Sequence, residues 1–195
     1  AGFDQLVEAI KRAISASGVD ERLIMGMGIG IPGIVNSATG ELLDVPALPW
    51  APVRFVNRME EQFPFPVMIN NDVNFAALGE WWLGCESRFD HLFYLAIGSA
   101  VGSAIIANGE LVEGGRFSAG EINLLIDRED VRLGRTNVNN PIGVFEQQIS
   151  GRALEQRSHL PPEELLGGYG KGNPDADRIV DEFLFLLSVT LANIN

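Results

Sequence analysis

Apolar residues recur at helical spacing near both ends of the chain. The opening segment "FDQLVEAIKRAI" predicts an amphipathic helix, and its apolar positions are Phe3, Leu6, Val7, Ile10 and Ile14. The last segment predicts another amphipathic helix, with Val180, Phe183, Leu184, Leu187 and Leu191 on one face. Because each end of the chain falls in or beside a helix, we expect the chain to be a piece of a longer polypeptide.

The first half of the chain alternates strand and helix patterns. "RLIMGMGIGIPGIV" predicts a buried strand that turns at Pro32 and Gly33, and "ELLDV" predicts another strand. "VRFVNRMEEQF" predicts a helix, "PVMIN" a short strand, and "NFAALGEWWLG" a helix that ends near Gly84. This order predicts a first α/β lobe over residues 1–89.

The second half begins with a different pattern. "HLFYLAIGSAVGSAIIANGELVEGG" predicts two apolar strands and a hairpin at Asn108 and Gly109, so we expect a second α/β lobe over residues 90–195. The polar residues 127–140 predict an exposed loop. "PIGVFEQQISGRALEQ" predicts a helix opened by Pro141, and "LPPEELLGGYGKGNPDA" predicts a short helix followed by a linker.

Charge and composition narrow the possible classes of protein. The 195 residues include 14 Lys+Arg and 26 Asp+Glu, which gives a formal net charge of −12. This charge repels phosphate backbones and anionic membrane surfaces, so we do not expect this chain alone to bind nucleic acid. The chain has one cysteine, Cys85, no apolar run of roughly 20 residues that would span a bilayer, and no secretion signal at its start. We therefore expect a cytoplasmic protein without a membrane partner.

Polar side chains occur where a predicted strand meets a predicted helix. In "VMINNDVNFAALGE", Asn71 and Asp72 follow the strand and precede the helix. In open α/β sheets ligands bind at this edge, because strand ends and helix N-termini converge there. One interpretation is that Asn71 or Asp72 caps the helix by accepting a backbone N–H. The other is that Asp72 accepts a proton from a substrate hydroxyl while Asn71 hydrogen-bonds beside it, and the two roles are compatible.

Five segments occur in the order that is typical of one protein family: "GIGIPGIV", "LPW", "NNDVNFAALGE", "LAIGSAVGSAIIANGELVEGG" and "SAGEI". From about residue 24 to residue 195 the chain resembles the ROK family, which groups bacterial sugar kinases with sugar-responsive transcriptional repressors. The resemblance implies an actin-like ATPase fold of the α/β class, with two lobes and sugar bound in the cleft between them. It also implies a fold that is incomplete at both ends, without the family's N-terminal phosphate hairpin and its C-terminal adenosine-binding region.

The resemblance assigns sugar-binding roles to four residues. It makes Asn71 a ligand of sugar hydroxyls and places Asp72 at the position of the catalytic base in the kinases. Glu121 of "AGEI" matches a second sugar-binding carboxylate, and Glu146 of "GVFEQQIS" stands where a third is expected. Without the resemblance, Glu121 would be interpreted as a turn residue and Glu146 as an exposed helix residue. We expect a bound sugar to contact Asn71, Asp72 and Glu121 together.

The residues that hold structural zinc in the family are replaced in this chain. Where the family has Gly-His after the glutamate, this chain has Asn123 and Leu124. The family's cysteine motif C-x-C-G-x-x-G-C is replaced by "NVNNPIGVFE", with Gly143 and Val144 where Gly-Cys would stand. We therefore expect no zinc and no other metal in this chain.

The phosphate turn of the family is altered as well. Its Gly-Thr-Gly-x-Gly appears here as "GSAVG", in which Gly98, a hydroxyl at Ser99, and Gly102 are retained while Ala100 replaces a glycine. A methyl group at Ala100 would obstruct the close backbone approach that phosphate binding requires. The alternative interpretation is that "IGSAVG" is simply a tight hairpin turn.

Three functions are compatible with these residues. The departures from the family favour a sugar-sensing effector and oligomerisation region of a ROK-type repressor without kinase activity, whose DNA contacts would come from a helix-turn-helix outside this chain. The retained Asn71, Asp72 and Glu121 also fit a hexose or amino-sugar kinase that uses ATP and Mg²⁺. A degenerate member that serves as a dimerising scaffold is the third possibility. For the repressor we expect a small sugar as effector, a homo-oligomer and no cofactor in this chain.

Overall fold

The structure, a computed structural model, describes residues 2–45, 53–136 and 142–194. The chain divides into two compact units, Ala1–Phe93 with Ala104–Ala119, and Tyr94–Ser103 with Gly120–Asn195. The boundary predicted between residues 89 and 90 stays a prediction. The segment "LPW" and Pro141 lie outside the described residues.

Among its described residues, the first unit contains three α-helices, two small sheets and, within Ala104–Ala119, part of a third sheet. Strands β1 (Met27–Ile31) and β5 (Val67–Asn71) run parallel, with Ile31 opposite Asn71. Strands β2 (Ile34–Asn36), β3 (Glu41–Asp44) and β4 (Val53–Arg54) form an antiparallel sheet. The helices are α1 (Gly2–Ser17), α2 (Phe55–Glu60) and α3 (Asp72–Gly79), and a π-helix, Glu80–Gly84, follows α3 directly. The predicted order of strands and helices in the first half is therefore confirmed, but Val53 and Arg54, which were predicted to begin a helix, form β4.

One apolar core holds the first unit together. Its buried members come from α1, α2 and the strands, and they include Val7, Ile31, Val35, Leu42, Phe55, Met59, Val67 and Ile69. Phe3 of α1 packs edge-to-face on Phe55, with the ring centroids 5.6 Å apart. Helix α1 thus contacts the core through the apolar face that its sequence predicts.

Strand β1 is less buried than its apolar sequence predicts. Ile31 is buried, whereas Gly28 and Gly30 are exposed. A Cβ atom at Gly30 would lie 3.1 Å from Cα of Asp72. The glycine therefore allows the start of α3 to approach β1 closely, at the point where the polar turn lies.

The predicted hairpin of the second half is present. Strands β6 (Leu92–Ile97), β7 (Val101–Ala107) and β8 (Glu110–Leu111) form a sheet in that order, and β7 and β8 are antiparallel. The turn residues Asn108 and Gly109 both have positive φ, 54° and 76°. This conformation explains the Asn-Gly pair at the turn.

Residues 127–136 are exposed as their polarity predicts, except for Asp130, but they do not all form a loop. They contain α4 (Arg128–Arg132), which begins with a capping box in which Asp127 accepts from the Asp130 N–H at 2.7 Å and Asp130 accepts from the Asp127 N–H at 2.9 Å. Asp130 is 2% exposed and forms an ion pair with Arg135 at 2.9 Å. The loop prediction is therefore wrong for Arg128–Arg132, because the paired carboxylates stabilise the start of a helix there. Residues 137–140 lie outside the described ranges.

The single helix predicted over "PIGVFEQQISGRALEQ" is in fact two helices, α5 (Glu146–Ile149) and α6 (Gly151–Ser158). Ser150 is extended, with ψ 154°, and its hydroxyl accepts from the Ala153 N–H at 3.2 Å as the N-cap of α6. The break frees the Gly151 N–H from helical pairing, and this group donates to the Gly98 carbonyl at 2.7 Å. The pair Ser150-Gly151 was the sequence signal that one helix ends and another begins here.

Two further helices complete the described part of the second unit. Helix α7 (Pro162–Gly167) fits the predicted short helix, and α8 (Pro174–Ile194) fits the predicted last helix. Val180 and Phe183 of α8 are buried, whereas Leu184 is 43% exposed, so only part of the predicted apolar face is covered. Across the described ranges, none of the helices is both long and apolar enough to cross a membrane.

Candidate functional site

Asn71 and Asp72 form the turn between β5 and α3. Asn71 is the N-cap of α3, and its Oδ1 accepts from the backbone N–H groups of Val73 at 2.8 Å and Asn74 at 3.2 Å. The capping interpretation is therefore confirmed for Asn71. Its Nδ2 also donates to the Gly33 carbonyl at 3.1 Å, which holds the amide in place and leaves a second N–H on Nδ2 that suits a sugar oxygen.

Asp72 presents an exposed carboxylate on the first turn of α3. Its Oδ1 accepts from the Val73 N–H at 3.0 Å. A carboxylate in this position can still accept a hydrogen bond from a hydroxyl group, because each oxygen has two acceptor sites. The geometry is compatible with both roles considered for Asp72.

A polar network lies behind this turn. Asn70 of β5 is 7% exposed, and its Nδ2 donates to Oε1 of Glu113 at 2.9 Å. Its Oδ1 accepts from the backbone N–H of Asn71 at 2.7 Å and from Nδ2 of Asn74 at 2.9 Å. The other carboxylate oxygen of Glu113 accepts from the hydroxyl of Ser37 at 2.8 Å. The Asn71–Asp72 turn is therefore supported by a continuous set of hydrogen bonds within the first unit.

The sequence alone assigned no role to four members of this network, Ser37, Asn70, Asn74 and Glu113. One signal was present, since "NNDVN" places Asn70 and Asn74 one helical turn apart beside the two candidate ligands. Glu113 follows Asn70 by 43 residues, so no local pattern connects them. Only the folded chain brings this carboxylate to the amide.

The candidate phosphate turn connects β6 and β7. The Gly98 N–H donates to the Ala100 carbonyl at 2.9 Å, and the Gly98 carbonyl accepts from the Gly151 N–H at 2.7 Å. Ser99 and Ala100 are exposed. This arrangement fits the tight-turn interpretation, because the first N–H of the turn is already bonded inside it. Phosphate binding by Gly98, Ser99 and Gly102 stays a prediction.

Glu146 begins α5 and is 8% exposed, so its interpretation as an exposed helix residue is wrong. Burial raises the pKa of its carboxyl group, while a hydrogen bond from the Asn123 side chain, the charge of Arg152 and the Val101 N–H act in the opposite direction. Oδ1 of Asn123 is buried and has no hydrogen-bond partner among the described residues. Glu146 is therefore a buried acceptor whose orientation is fixed by neighbouring donors.

Glu121 is half-buried and directly precedes the 3-10 helix Ile122–Leu124. The preceding turn is fixed by the hydroxyl of Ser103, which donates to the Gly120 carbonyl. Gly120 has a φ of 85°, a conformation that favours glycine. Glu121 thus projects from a turn of defined backbone geometry.

The two segments for which the family resemblance implies zinc ligands are joined in this chain by direct backbone contact. The Phe145 N–H donates to the Asn123 carbonyl at 3.1 Å, and a Cβ atom at Gly143 would lie 2.0 Å from the same oxygen. Neither Leu124 nor Val144 carries a metal-binding atom. In the part of the chain that the structure describes, no group of three or more His, Cys, Asp or Glu could hold a metal ion. The residues at this position therefore do not fit a zinc site.

The predicted site residues are distributed over both units. Asn71 and Asp72 belong to the first unit, and the second contains Gly98, Ser99, Gly102, Glu121 and Glu146. That one sugar contacts Asn71, Asp72 and Glu121 together stays a prediction.

The α/β architecture places the chain among sugar kinases and their relatives with an actin-like ATPase fold. A sequence profile of the ROK family matches residues 3–195, and the chain belongs to this family. The predicted family and fold class are thereby confirmed.

Proteins similar to this chain include both regulators and enzymes. A xylose repressor from Caldicellulosiruptor bescii is 34% identical over 153 residues, which are 78% of this chain and 36% of the repressor. A beta-glucoside kinase from Listeria innocua is 31% identical over 183 residues, which are 88% of this chain and 60% of the kinase. The chain therefore spans less than two thirds of the length of either relative.

Among solved structures, a ROK family glucokinase from Streptomyces griseus in complex with glucose and AMPPNP matches with a TM-score of 0.73 and 26% identity, over 98% of this chain and 67% of that protein. Because repressors and kinases both resemble the chain, these similarities establish the family without separating the two functions.

Proposed function

We propose that this chain is the sugar-sensing region of a ROK-family transcriptional regulator and that it does not transfer phosphate. The observation that carries the proposal is the turn at Gly98, which we call closed because its first N–H group is bonded to a carbonyl within the turn. A phosphate cradle turns several backbone N–H groups towards phosphate oxygens. Here the Gly98 N–H is bonded to the Ala100 carbonyl at 2.9 Å, and Ala100 adds a methyl group where the family has glycine.

Sugar binding is supported by the kinds of polar groups retained. Asn71 offers an amide held by three hydrogen bonds, and Asp72 offers an exposed carboxylate next to it. Glu121 and the buried Glu146 would add two further acceptors. A set of oriented carboxylates and amides distinguishes hydroxyl geometries, because a missing hydroxyl leaves a polar group unpaired. The xylose repressor among the relatives supports a small sugar as the effector.

In this proposal the chain acts in the cytoplasm as part of a homo-oligomer. Its DNA contacts come from a helix-turn-helix outside this chain, which agrees with a net charge of −12 on the chain itself. A sugar that binds one conformation of the protein better than another shifts the population towards that conformation. This shift is the means by which an effector region signals to DNA-binding segments.

A sugar kinase is the second candidate, and the exposed carboxylate of Asp72 meets one requirement of such an enzyme. The carboxylate is accessible on the first turn of α3, which is what a general base for a sugar hydroxyl requires. An enzyme of this kind would use ATP and Mg²⁺. Exposure of Asp72 is equally necessary for sugar binding alone, so it does not outweigh the closed turn.

The two functions are separated by measuring binding and turnover on the same preparation. D-glucose, D-xylose and N-acetyl-D-glucosamine are titrated calorimetrically, and ADP release is measured with each sugar in the presence of ATP and Mg²⁺. The proposal predicts binding of a sugar without ADP release above background. Turnover that disappears in Asp72→Asn would establish the kinase instead. If the protein neither binds nor phosphorylates any of the three sugars, both functions are contradicted and the scaffold function is favoured.

A further inference from the structure

We propose that Glu113 is a positioning residue that fixes the Asn71–Asp72 turn by holding the side-chain amide of Asn70 in one orientation. This inference rests on the proposed function, since the turn is the one proposed to bind sugar. Glu113 lies on the segment after β8, and its side chain connects this segment to Ser37 and to Asn70.

The orientation of Asn70 follows from the chemistry of its partners. An ionised carboxylate accepts hydrogen bonds and donates none, so Oε1 of Glu113 requires the Nδ2 side of the amide. Oδ1 of Asn70 then faces the opposite side, where the Asn71 backbone N–H and Nδ2 of Asn74 both need an acceptor. Each of these contacts is satisfied in only one of the two amide orientations.

Because Asn70 and Asn74 are buried, the preference for one orientation of the Asn70 amide is strong. Asn70 is 7% exposed and Asn74 is 8% exposed. Rotating the Asn70 amide by half a turn would place its oxygen against the Glu113 carboxylate and its N–H₂ group against two other donors. Water has little access to compensate, so the reversed amide is disfavoured.

The backbone of Glu113 is itself held in place. Its carbonyl accepts from the Ala119 N–H at 3.1 Å, and the next residue, Gly114, has a φ of 73°. Ser37 occupies the second carboxylate oxygen at 2.8 Å. The carboxylate of Glu113 therefore holds the Asn70 side chain in position. Asn70 in turn accepts from the backbone N–H of Asn71, the residue directly before Asp72.

The decisive test exchanges donor and acceptor across the Asn70–Glu113 pair. In Asn70→Asp, two carboxylates would meet at the 2.9 Å contact. In the double variant Asn70→Asp/Glu113→Gln, the glutamine N–H₂ donates to the new aspartate, whose other oxygen still accepts from Asn71 and Asn74. The glutamine oxygen still accepts from Ser37. All hydrogen bonds of the network are kept, but one runs in the opposite direction.

Sugar affinity is measured by calorimetry on the protein with D-glucose, D-xylose and N-acetyl-D-glucosamine. We expect Asn70→Asp and Glu113→Ala each to weaken binding by about tenfold, and the double variant to bind within about threefold of the parent. Glu41→Gln is the matched control, because Glu41 pairs with the exposed side chain of Arg54 in another sheet and should leave the affinity unchanged. If Asn70→Asp does not fold, Glu113→Ala and the double variant still provide the comparison.

Two results would overturn the inference. Single variants that melt at lower temperature but bind sugar as tightly as the parent would show that the Asn70–Glu113 pair only stabilises the fold. A double variant that binds sugar as weakly as Asn70→Asp would show that the orientation of the amide does not determine the affinity. If the parent binds none of the three sugars, the proposed function fails, but the inference about Glu113 can still be tested.

The test is then the chemical shift of the Asn71 backbone amide in ¹H–¹⁵N spectra. This shift should change in Glu113→Ala and return to the parent value in the double variant. An unchanged shift in Glu113→Ala would contradict a positioning role.

Discussion

Gly143 lies directly against the carbonyl oxygen of Asn123, so that a Cβ atom on Gly143 would be 2.0 Å from that oxygen. The Phe145 N–H donates to the same oxygen at 3.1 Å. Together these contacts join the segment before α5 to the turn that follows Glu121. The connection is made between the two segments directly, without a metal-binding side chain at Leu124 or Val144.

Replacing Gly143 with alanine should therefore destabilise the second unit. The added methyl group cannot fit without moving backbone, and we expect the free energy of unfolding to fall by about 1–3 kcal/mol. Gly167→Ala in α7 is the control, because a Cβ atom there meets nothing within 4 Å and should change stability by less than about 1 kcal/mol. Urea denaturation of both variants measures the difference. Equal stability of Gly143→Ala and the parent would show that the segment before α5 is not held by this contact.

The residues at and beside this contact lead to a prediction about the metal content of the protein. Zinc binding requires thiolate, imidazole or carboxylate ligands, and Asn123, Leu124, Gly143 and Val144 supply none. We expect elemental analysis of the purified protein to find far less than one zinc per chain, and a chelator to leave the melting temperature unchanged. One zinc per chain, removed by the chelator together with a fall in melting temperature, would refute this prediction.

Local sequence patterns predicted much of the fold and failed where side chains acted on the backbone. The apolar periodicity around Val7 and the Asn108-Gly109 turn each determined an element correctly. Helix α4 was missed because the reciprocal bonds of Asp127 and Asp130 outweighed their polarity, and the break at Ser150 was missed because helical spacing continues on both sides of it.

The candidate site was predictable only in part, for a similar reason. Asn71 and Asp72 stand beside each other at a recognisable junction of strand and helix. Glu113 acts on that junction through Asn70 across 43 residues, and the burial of Glu146 depends on packing that no spacing shows. Partners brought together by tertiary structure leave no periodic signal.

The burial of Glu146 predicts a pH dependence of stability. Because burial raises the pKa of its carboxyl group in the folded state, the unfolded chain loses this proton first as pH rises. The contribution of Glu146 to stability is therefore fully present below the ordinary glutamate pKa and is lost as pH rises through the raised value. Glu146→Gln, which does not ionise, should gain stability relative to the parent over this interval. Urea denaturation from pH 4 upward measures it, and a difference that is constant with pH would contradict the prediction.

The sugar ligands are tested by removing one carboxylate from each unit. Asp72 is exposed and Glu121 is half-buried, so alanine at either position should leave the fold intact while removing an acceptor from the sugar. We expect Asp72→Ala and Glu121→Ala each to weaken binding by about 1–3 kcal/mol, roughly five- to 150-fold, because a desolvated hydroxyl is left without its partner. Calorimetry with the sugar that the parent binds measures the loss, and Glu41→Gln again serves as the control. If Asp72→Ala alone weakens binding, the sugar is recognised by the first unit without Glu121. If both variants bind as tightly as the parent, the Asn71–Asp72 turn is not the sugar site, and a scaffold function becomes the better explanation of the chain.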